Sequence, residues 1–264
     1  METIRIYKRL ASLFAVAGFF FIFACGKDSP VENPNDPNNG SQLKPDAFSV
    51  SPKKQVYFSP GNLHKMGSTF VSDEWDYGGY FCWGTGKRPT FWSLDDSDFS
   101  SFYDWGDYLS DSEGGWRTMF AADWVYLLEK RPQAEFKRGT GKVCGIHGLI
   151  LLPDGWKGLE DIEFSSGCIS WDDNVYNRDQ WMKMKEAGAV FLPASDMIYE
   201  GNIIDGHPVD PGPHYGAAGY YWTATPSGEP QKAQCMFFSE GHVHPSTPQK
   251  RCYRQSVRLV RDVK

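Results

Sequence analysis

The stretch GGWRTMFAADWVYLLEKR, Gly114–Arg131, sets the reading of the chain. From Met119 to Lys130 the apolar residues Ala121, Trp124, Val125 and Leu128 recur at the i, i+3, i+4, i+7 spacing of one helical face. Thr118 or an adjacent residue starts this helix, Lys130 and Arg131 suit its negative end, and Pro132 stops it. A second helix is expected from Arg178 to Ala187. Asn177 and Gln180 have the spacing of a capping box, Trp181 and Met184 face inward, and Gly188 sits where a left-handed C′ residue belongs. Outward from these two helices the pattern is β-like, in short runs bounded by turn residues: Gln55–Phe58, Phe70–Val71, Gly148–Leu152, Val190–Leu192, Tyr220–Thr225, Cys235–Phe238 and Ser256–Val260. Helices and strands do not alternate regularly, which argues against a parallel βαβ sheet. The fold class is α+β, with two helices packed on short antiparallel sheets joined by long loops.

The 264 residues are 41% apolar and 16% aromatic, enough to bury a core, so wholesale disorder is excluded. The net charge is −6, and no run of Lys and Arg is long enough to form an electrostatic footprint on phosphate. Nucleic acid is therefore not an expected partner. Ten Trp, 13 Tyr and 18 Phe beside 27 Gly and 17 Pro suit short strands and shaped loops rather than a helical bundle.

The N-terminus reads as an address. Arg5, Lys8 and Arg9 precede Leu10–Ala24, an uncharged stretch shorter than the roughly 20 residues a spanning helix needs. It ends in Ile22-Phe23-Ala24-Cys25-Gly26, and the small residue before Cys25 resembles the bacterial lipobox, with Phe23 bulkier than that motif's usual residue. The expectation is a lipoprotein signal peptide over residues 1–24 and a lipidated Cys25. A flexible Pro/Asn/Asp/Gly-rich tether over 25–47 and one domain over 48–264 would follow. The alternatives are a cleaved signal beside an incidental Cys and a plain transmembrane anchor. Five further cysteines remain: Cys82, Cys144, Cys168, Cys235 and Cys252. An odd number in an exported chain leaves at least one thiol unpaired, and Cys235 with Cys252, bracketing a late loop, is the candidate disulfide.

Seven phrases come in order along the chain: VYFSPGNL (Val56–Leu63), FCWGTG (Phe81–Gly86), Gly114–Arg131 as above, GLILLPDGW (Gly148–Trp156), AGAVFLPAS (Ala187–Ser195), GYYWTAT (Gly219–Thr225) and QSVRLVRD (Gln255–Asp262). Together they resemble the major paralogous domain of Bacteroidetes surface lipoproteins, whose members have a C-type-lectin-like fold. More distantly, WRTMFAADWVYLLEKR and SVRLVRD are similar to segments of the formylglycine-generating-enzyme (sulfatase-modifying) family. The resemblance implies that the chain ends meet, SVRLV pairing with an early strand such as QVYFS. It also makes Trp116, Trp124, Trp156 and Trp222 packing residues. One departure is local: the family's Thr cap before the helix Trp is replaced by Phe120, leaving Asp123 alone.

The chemistry-bearing clusters read mostly as bland structure. The active sulfatase-modifying relatives hold copper with two close cysteines near the C-terminus, whereas here Cys252 stands alone in that stretch and Cys235 lies 17 residues earlier. Glu229-Pro230-Gln231 is similar to the first calcium motif of true C-type lectins, but no second motif follows; Trp171-Asp172-Asp173-Asn174 has the chemistry in the wrong place. Asp95-Asp96-Ser97-Asp98 and Asp104–Asp111 have the composition of loops, and Ser195 lacks a nucleophile-elbow context. His242 and His244 would share one face of a strand, although a polar loop is the plainer reading. No cofactor and no metal are expected.

The remaining window, Pro226–Arg254, offers His242, His244, Gln249, Arg251, Tyr253 and Arg254 on a stretch too polar and Pro-broken for core. The expectation is a lipid-anchored, outer-membrane protein, surface-exposed or periplasm-facing, that touches the membrane through its anchor alone. Its lectin-like domain would bind a glycan or protein ligand non-covalently through these late loops. The alternatives are a fimbria-tip-like structural subunit and, third, a sulfatase-modifying-like enzyme.

Overall fold

Strand pairing at the C-terminus organises the chain. In the computed structural model, which describes residues 43–84, 88–109, 114–199, 203–204, 207–208 and 216–264, β1 (Phe48–Ser51), β2 (Lys54–Phe58) and β3 (Trp116–Thr118) share a four-stranded sheet with the last strand, β13 (Leu259–Asp262). β13 lies between β2 and β3, antiparallel to both, with Val260 opposite Phe58 and Arg117. The early and late segments therefore meet as expected. The last strand is displaced, however: residues 256–258 serve other partners, Ser256 bridging to Tyr221 and Val257 O accepting from Leu63 N at 2.9 Å.

A second four-stranded sheet is built from β4 (Arg138–Val143), β5 (Ile146–Leu151), β6 (Val175–Tyr176) and β7 (Val190–Pro193), in the order β6-β4-β5-β7. β6 runs parallel to β4 and the other pairs are antiparallel. A two-residue ladder joins β8 (Ile203–Ile204) to β9 (His207–Pro208). The third main sheet is the meander β10 (Ala218–Pro226), β11 (Lys232–Ser239) and β12 (His242–Lys250). β12 corrects the expectation of a polar loop over this stretch. Pro245 and Pro248 cannot donate to a ladder, but on an edge strand their outer side has no partner to serve.

Of the two helices, the second starts as the residues dictate, whereas the first starts later than expected, Thr118 belonging to β3. In α2 (Arg178–Glu186), Asn177 Oδ1 accepts from Gln180 N at 2.9 Å and Gln180 Oε1 from Asn177 N at 3.0 Å, while Gly188 closes the end at φ 94°. Helix α1 (Ala121–Val125) lacks a cap of its own, because Phe120 has no side-chain acceptor. Asp123 Oδ2 accepts from Phe120 N at 3.1 Å, and Thr225 of β10 reaches across to accept from Ala121 N at 2.9 Å. The cap is thus supplied from another element. Beyond Val125 the helix widens into a π-turn over Tyr126–Lys130, closed by Arg131 N donating to Tyr126 O at 2.8 Å. The wider turn rotates Leu127 inward beside Leu128 and leaves Val125, expected on the buried face, only half-buried.

The main core gathers Phe48, Val56, Trp124, Leu127, Leu149, Leu192, Tyr221, Met236 and Phe238, so all three large sheets and α1 contribute to one apolar interior. Trp124 and Trp222 are buried as packing residues. Trp116 and Trp156 are half-buried against satellite clusters. Elsewhere in the buried part of the domain Glu74 pairs with Arg258, and Trp181 Nε1 donates to the same carboxylate at 3.2 Å. Burial pushes the Glu74 carboxyl upward against the pull of Arg258 and Lys185. Losing either partner would strand an uncompensated charge.

Two further expectations are corrected here. Lys44–Ala47, assigned to the tether, are bound into the domain: Lys44 N donates to Gln55 Oε1 at 2.6 Å and Asp154 N to Ala47 O at 2.9 Å. Cys235 and Cys252 do not pair. All five cysteines of the described residues are free thiols, with Cys235 packed beside Trp222 and Cys252 in a different cluster beside Cys82 and Phe99. The signal peptide, Cys25 and most of the tether lie outside the described residues.

Candidate functional site

Alternation along the β10–β11–β12 meander gives its two faces different fates. Tyr221, Met236 and Phe238 point into the main core. On the opposite face Trp222, Ala233 and Cys235 are roofed by Phe81, Trp83 and Trp105. Two indole hydrogen bonds fix the roof, Trp222 Nε1 to Phe81 O at 2.7 Å and Trp83 Nε1 to Thr223 O at 2.8 Å. One step along the strands the roof ends. There Tyr220, Phe237 and His244 stand directly opposite one another across the three strands, and none of them is fully buried.

The rings form a ladder. Tyr220 and Phe237 have centroids 4.9 Å apart, Phe237 and His244 5.7 Å, and His244 and His242 6.2 Å. His242 and His244 are therefore on one face, as their alternation predicts. Behind the ladder the next cross-strand rows are Trp222–Cys235–Thr247 and Ala233–Gln249. Where the roof stops, a shallow depression of about 310 Å³ is lined by Tyr220, Phe237, His244, Thr247 and Gln249.

A separate ring pair lies on the Tyr220 side, where Tyr199 acts electrostatically on the Tyr220 hydroxyl. Ile198 and Arg254 exchange backbone hydrogen bonds, each at 2.9 Å, which sets Tyr199 beside Tyr253 with centroids 6.2 Å apart. Lys250 Nζ lies 5.8 Å from the Tyr253 ring. Burial pushes the Tyr220 hydroxyl up to about 12, with the Asp196 charge adding to it and Cys235 and Tyr199 following. That hydroxyl is therefore a neutral donor at physiological pH. These rings, with a break between Tyr220 and the Tyr199–Tyr253 pair, form an arc beside a depression edged by a hydroxyl and an amide.

Of the six residues expected to face a ligand, His242, His244, Gln249 and Tyr253 are on this arc or its depression. Arg251 is not, and its assignment is corrected. It is buried with its guanidinium 4.4 Å from the Trp83 ring centroid, donating to Phe99 O at 3.0 Å, Ser100 O at 3.2 Å and, through Nε, Lys232 O at 3.2 Å. Burial lowers its pKa. Arg254 is half-buried and donates through Nε to Tyr80 O at 3.2 Å. Tyr199, Tyr220, Phe237 and Thr247 were missed; the Tyr220 and Phe237 strands were legible, but their register with His244 was not.

Asp111 lies outside the described residues, and three other members of the acidic clusters are engaged in structure. Asp95 accepts from Ser97 N at 2.9 Å, Asp96 from Cys252 N at 3.0 Å, and Asp104 from both Gly106 N and Thr118 N at 3.0 Å. In the acidic turn, Asn174 is buried and ties Thr140 O, Ser165 O and Ser165 N together, while Asp172 pairs with Lys142. Glu229 pairs with Lys232 at 2.7 Å, and the Ser195 hydroxyl hydrogen-bonds the Ser256 hydroxyl at 2.6 Å. Among the described residues no three His, Cys, Asp or Glu side chains converge as a metal site. No helix among them is long and apolar enough to cross a membrane. A larger hollow of about 570 Å³ is lined by Tyr57, Gly114, Gly115, Arg261, Asp262, Val263 and Lys264, one ring among charged and small residues. Its lining lacks the convergent rings of the arc. No protein-family model, curated protein or solved structure matches the chain.

Proposed function

We propose that this is a lipid-anchored envelope protein of the kind its sequence resembles, a C-type-lectin-like surface lipoprotein, whose domain binds a glycan or protein ligand non-covalently. The observation that carries the reading is the arc of rings on the open end of the β10–β11–β12 face, where one side of the sheet is committed to core and the other is left uncovered. Aromatic rings on strands supply large contact area at little entropic cost, and the strands hold them without reorganisation. Signal peptide, lipidated Cys25 and tether fit display of such a face. The engagement of the acidic side chains in turns and loop anchors favours recognition over hydrolysis.

The test uses the mature chain in detergent, probed on arrays carrying both glycans and envelope proteins. A ligand captured by the wild type and lost on Phe237→Ala supports the reading. Capture that survives Phe237→Ala moves the site elsewhere. No capture, with the protein instead co-purifying stoichiometrically with a surface polymer, favours the structural-subunit alternative.

A further inference from the structure

We infer that the occupant of the arc is an oligosaccharide of at least two pyranose rings, held by ring stacking and hydroxyl hydrogen bonds without a bridging cation. This rests on the recognition reading above and narrows it. A pyranose presents axial C–H bonds on one face and equatorial hydroxyls at its rim. The C–H face lies against an aromatic face, whose quadrupole is negative, while the rim needs donors and acceptors at its edge. The depression has this division: Tyr220, Phe237 and His244 form its aromatic side, with the Thr247 hydroxyl and the Gln249 amide on its polar side. The Tyr220 hydroxyl stays a donor.

Size discriminates further. A volume of about 310 Å³ is at the small end of ligand sites, suited to one ring-sized group, whereas a stable protein interface buries about 800 Å² on each partner. Yet the rings do not stop at the depression. His242 extends them past His244 on one side, and Tyr199 with Tyr253 lies on the other. A single sugar would leave both extensions idle, while a chain of sugars engages them in turn.

The mode of attachment follows from side-chain chemistry. A calcium bridge needs six to eight oxygen ligands with several carboxylates, and among the described residues of the arc Asp196 alone supplies one. The arc offers aromatic rings, hydroxyls and an amide, so attachment runs through them.

Calorimetric titration of the mature chain in detergent, with EDTA present throughout, tests this against gluco-, galacto- and manno-oligosaccharides of one to six units. The expected result is affinity rising about tenfold or more between one and three units in at least one series, then levelling off. Phe237→Ala abolishes binding at every length. His242→Ala or Tyr253→Ala removes the gain with length and leaves the single-sugar affinity intact, an outcome general misfolding would not give. Length-independent affinity overturns the inference, as does binding that appears only when calcium replaces EDTA. If no saccharide titrates but a protein ligand binds wild type and not Phe237→Ala, this inference fails while the recognition reading survives. If neither class binds, both fail.

Discussion

Arg251 and His244, seven residues apart on neighbouring stretches, show how one polar sequence divides between frame and contact face. Arg251 is buried over Trp83 and supplies donors to three backbone carbonyls. Arg251→Ala leaves those carbonyls short of partners and removes the stack, at a cost of about 2–4 kcal/mol in denaturant unfolding. His244→Ala, on an exposed ring, is expected to change stability by less than about 1 kcal/mol while weakening ligand capture. The thiols give a second prediction at this scale. Burial raises Cys82, Cys235 and Cys252 each to about 12, whereas Cys144 is exposed at a hairpin tip. In the native protein only Cys144 should react quickly with a thiol reagent, and after denaturation without reductant all five should react. A shortfall of two thiols would restore a disulfide.

At the level of elements, the cap on α1 is borrowed from β10. Thr225→Val removes the acceptor for Ala121 N and should cost about 1 kcal/mol, with Thr225→Ser restoring most of it. β13 carries a pH-dependent tie. Partial burial raises the Asp262 pKa, but hydrogen bonds and charge from Lys54 and Arg117 outweigh it and hold the carboxyl below its ordinary 3.8. The folded state therefore binds this proton less tightly than the unfolded chain. Its contribution is present above about pH 4 and fades as pH falls through the lowered value. The stability difference between wild type and Asp262→Asn should accordingly be present at pH 7 and vanish in strong acid. Legibility differed for physical reasons. Helix α2 was readable because Asn177, Gln180, Trp181, Met184 and Gly188 are local signals that tertiary structure left intact. The buried face of α1 was misjudged at Val125 because a π-turn breaks the 3.6-residue period. β12 was missed because its two prolines and polar residues mimic a loop, and only the neighbouring β11 makes it a strand. The arc depends on cross-strand register and on the Ile198–Arg254 bridge, which no local pattern encodes.

For the whole molecule the account is of a frame in which the last strand closes against early strands, with one end of one sheet face left open. The frame begins earlier than the sequence reading placed it, at Lys44. The proposed anchor is testable separately: Cys25→Ala should abolish incorporation of labelled fatty acid and release the protein from the membrane, and unaltered retention would contradict lipidation. The central claim, that the open end of the β10–β11–β12 face is where the ligand sits, is tested most directly by hydrogen exchange on the mature chain with and without a captured ligand. The account predicts that added protection concentrates in residues 196–199, 218–222, 235–249 and 252–254. Protection concentrated instead around Gly114–Gly115 and Arg261–Lys264, with the meander unchanged, would contradict it.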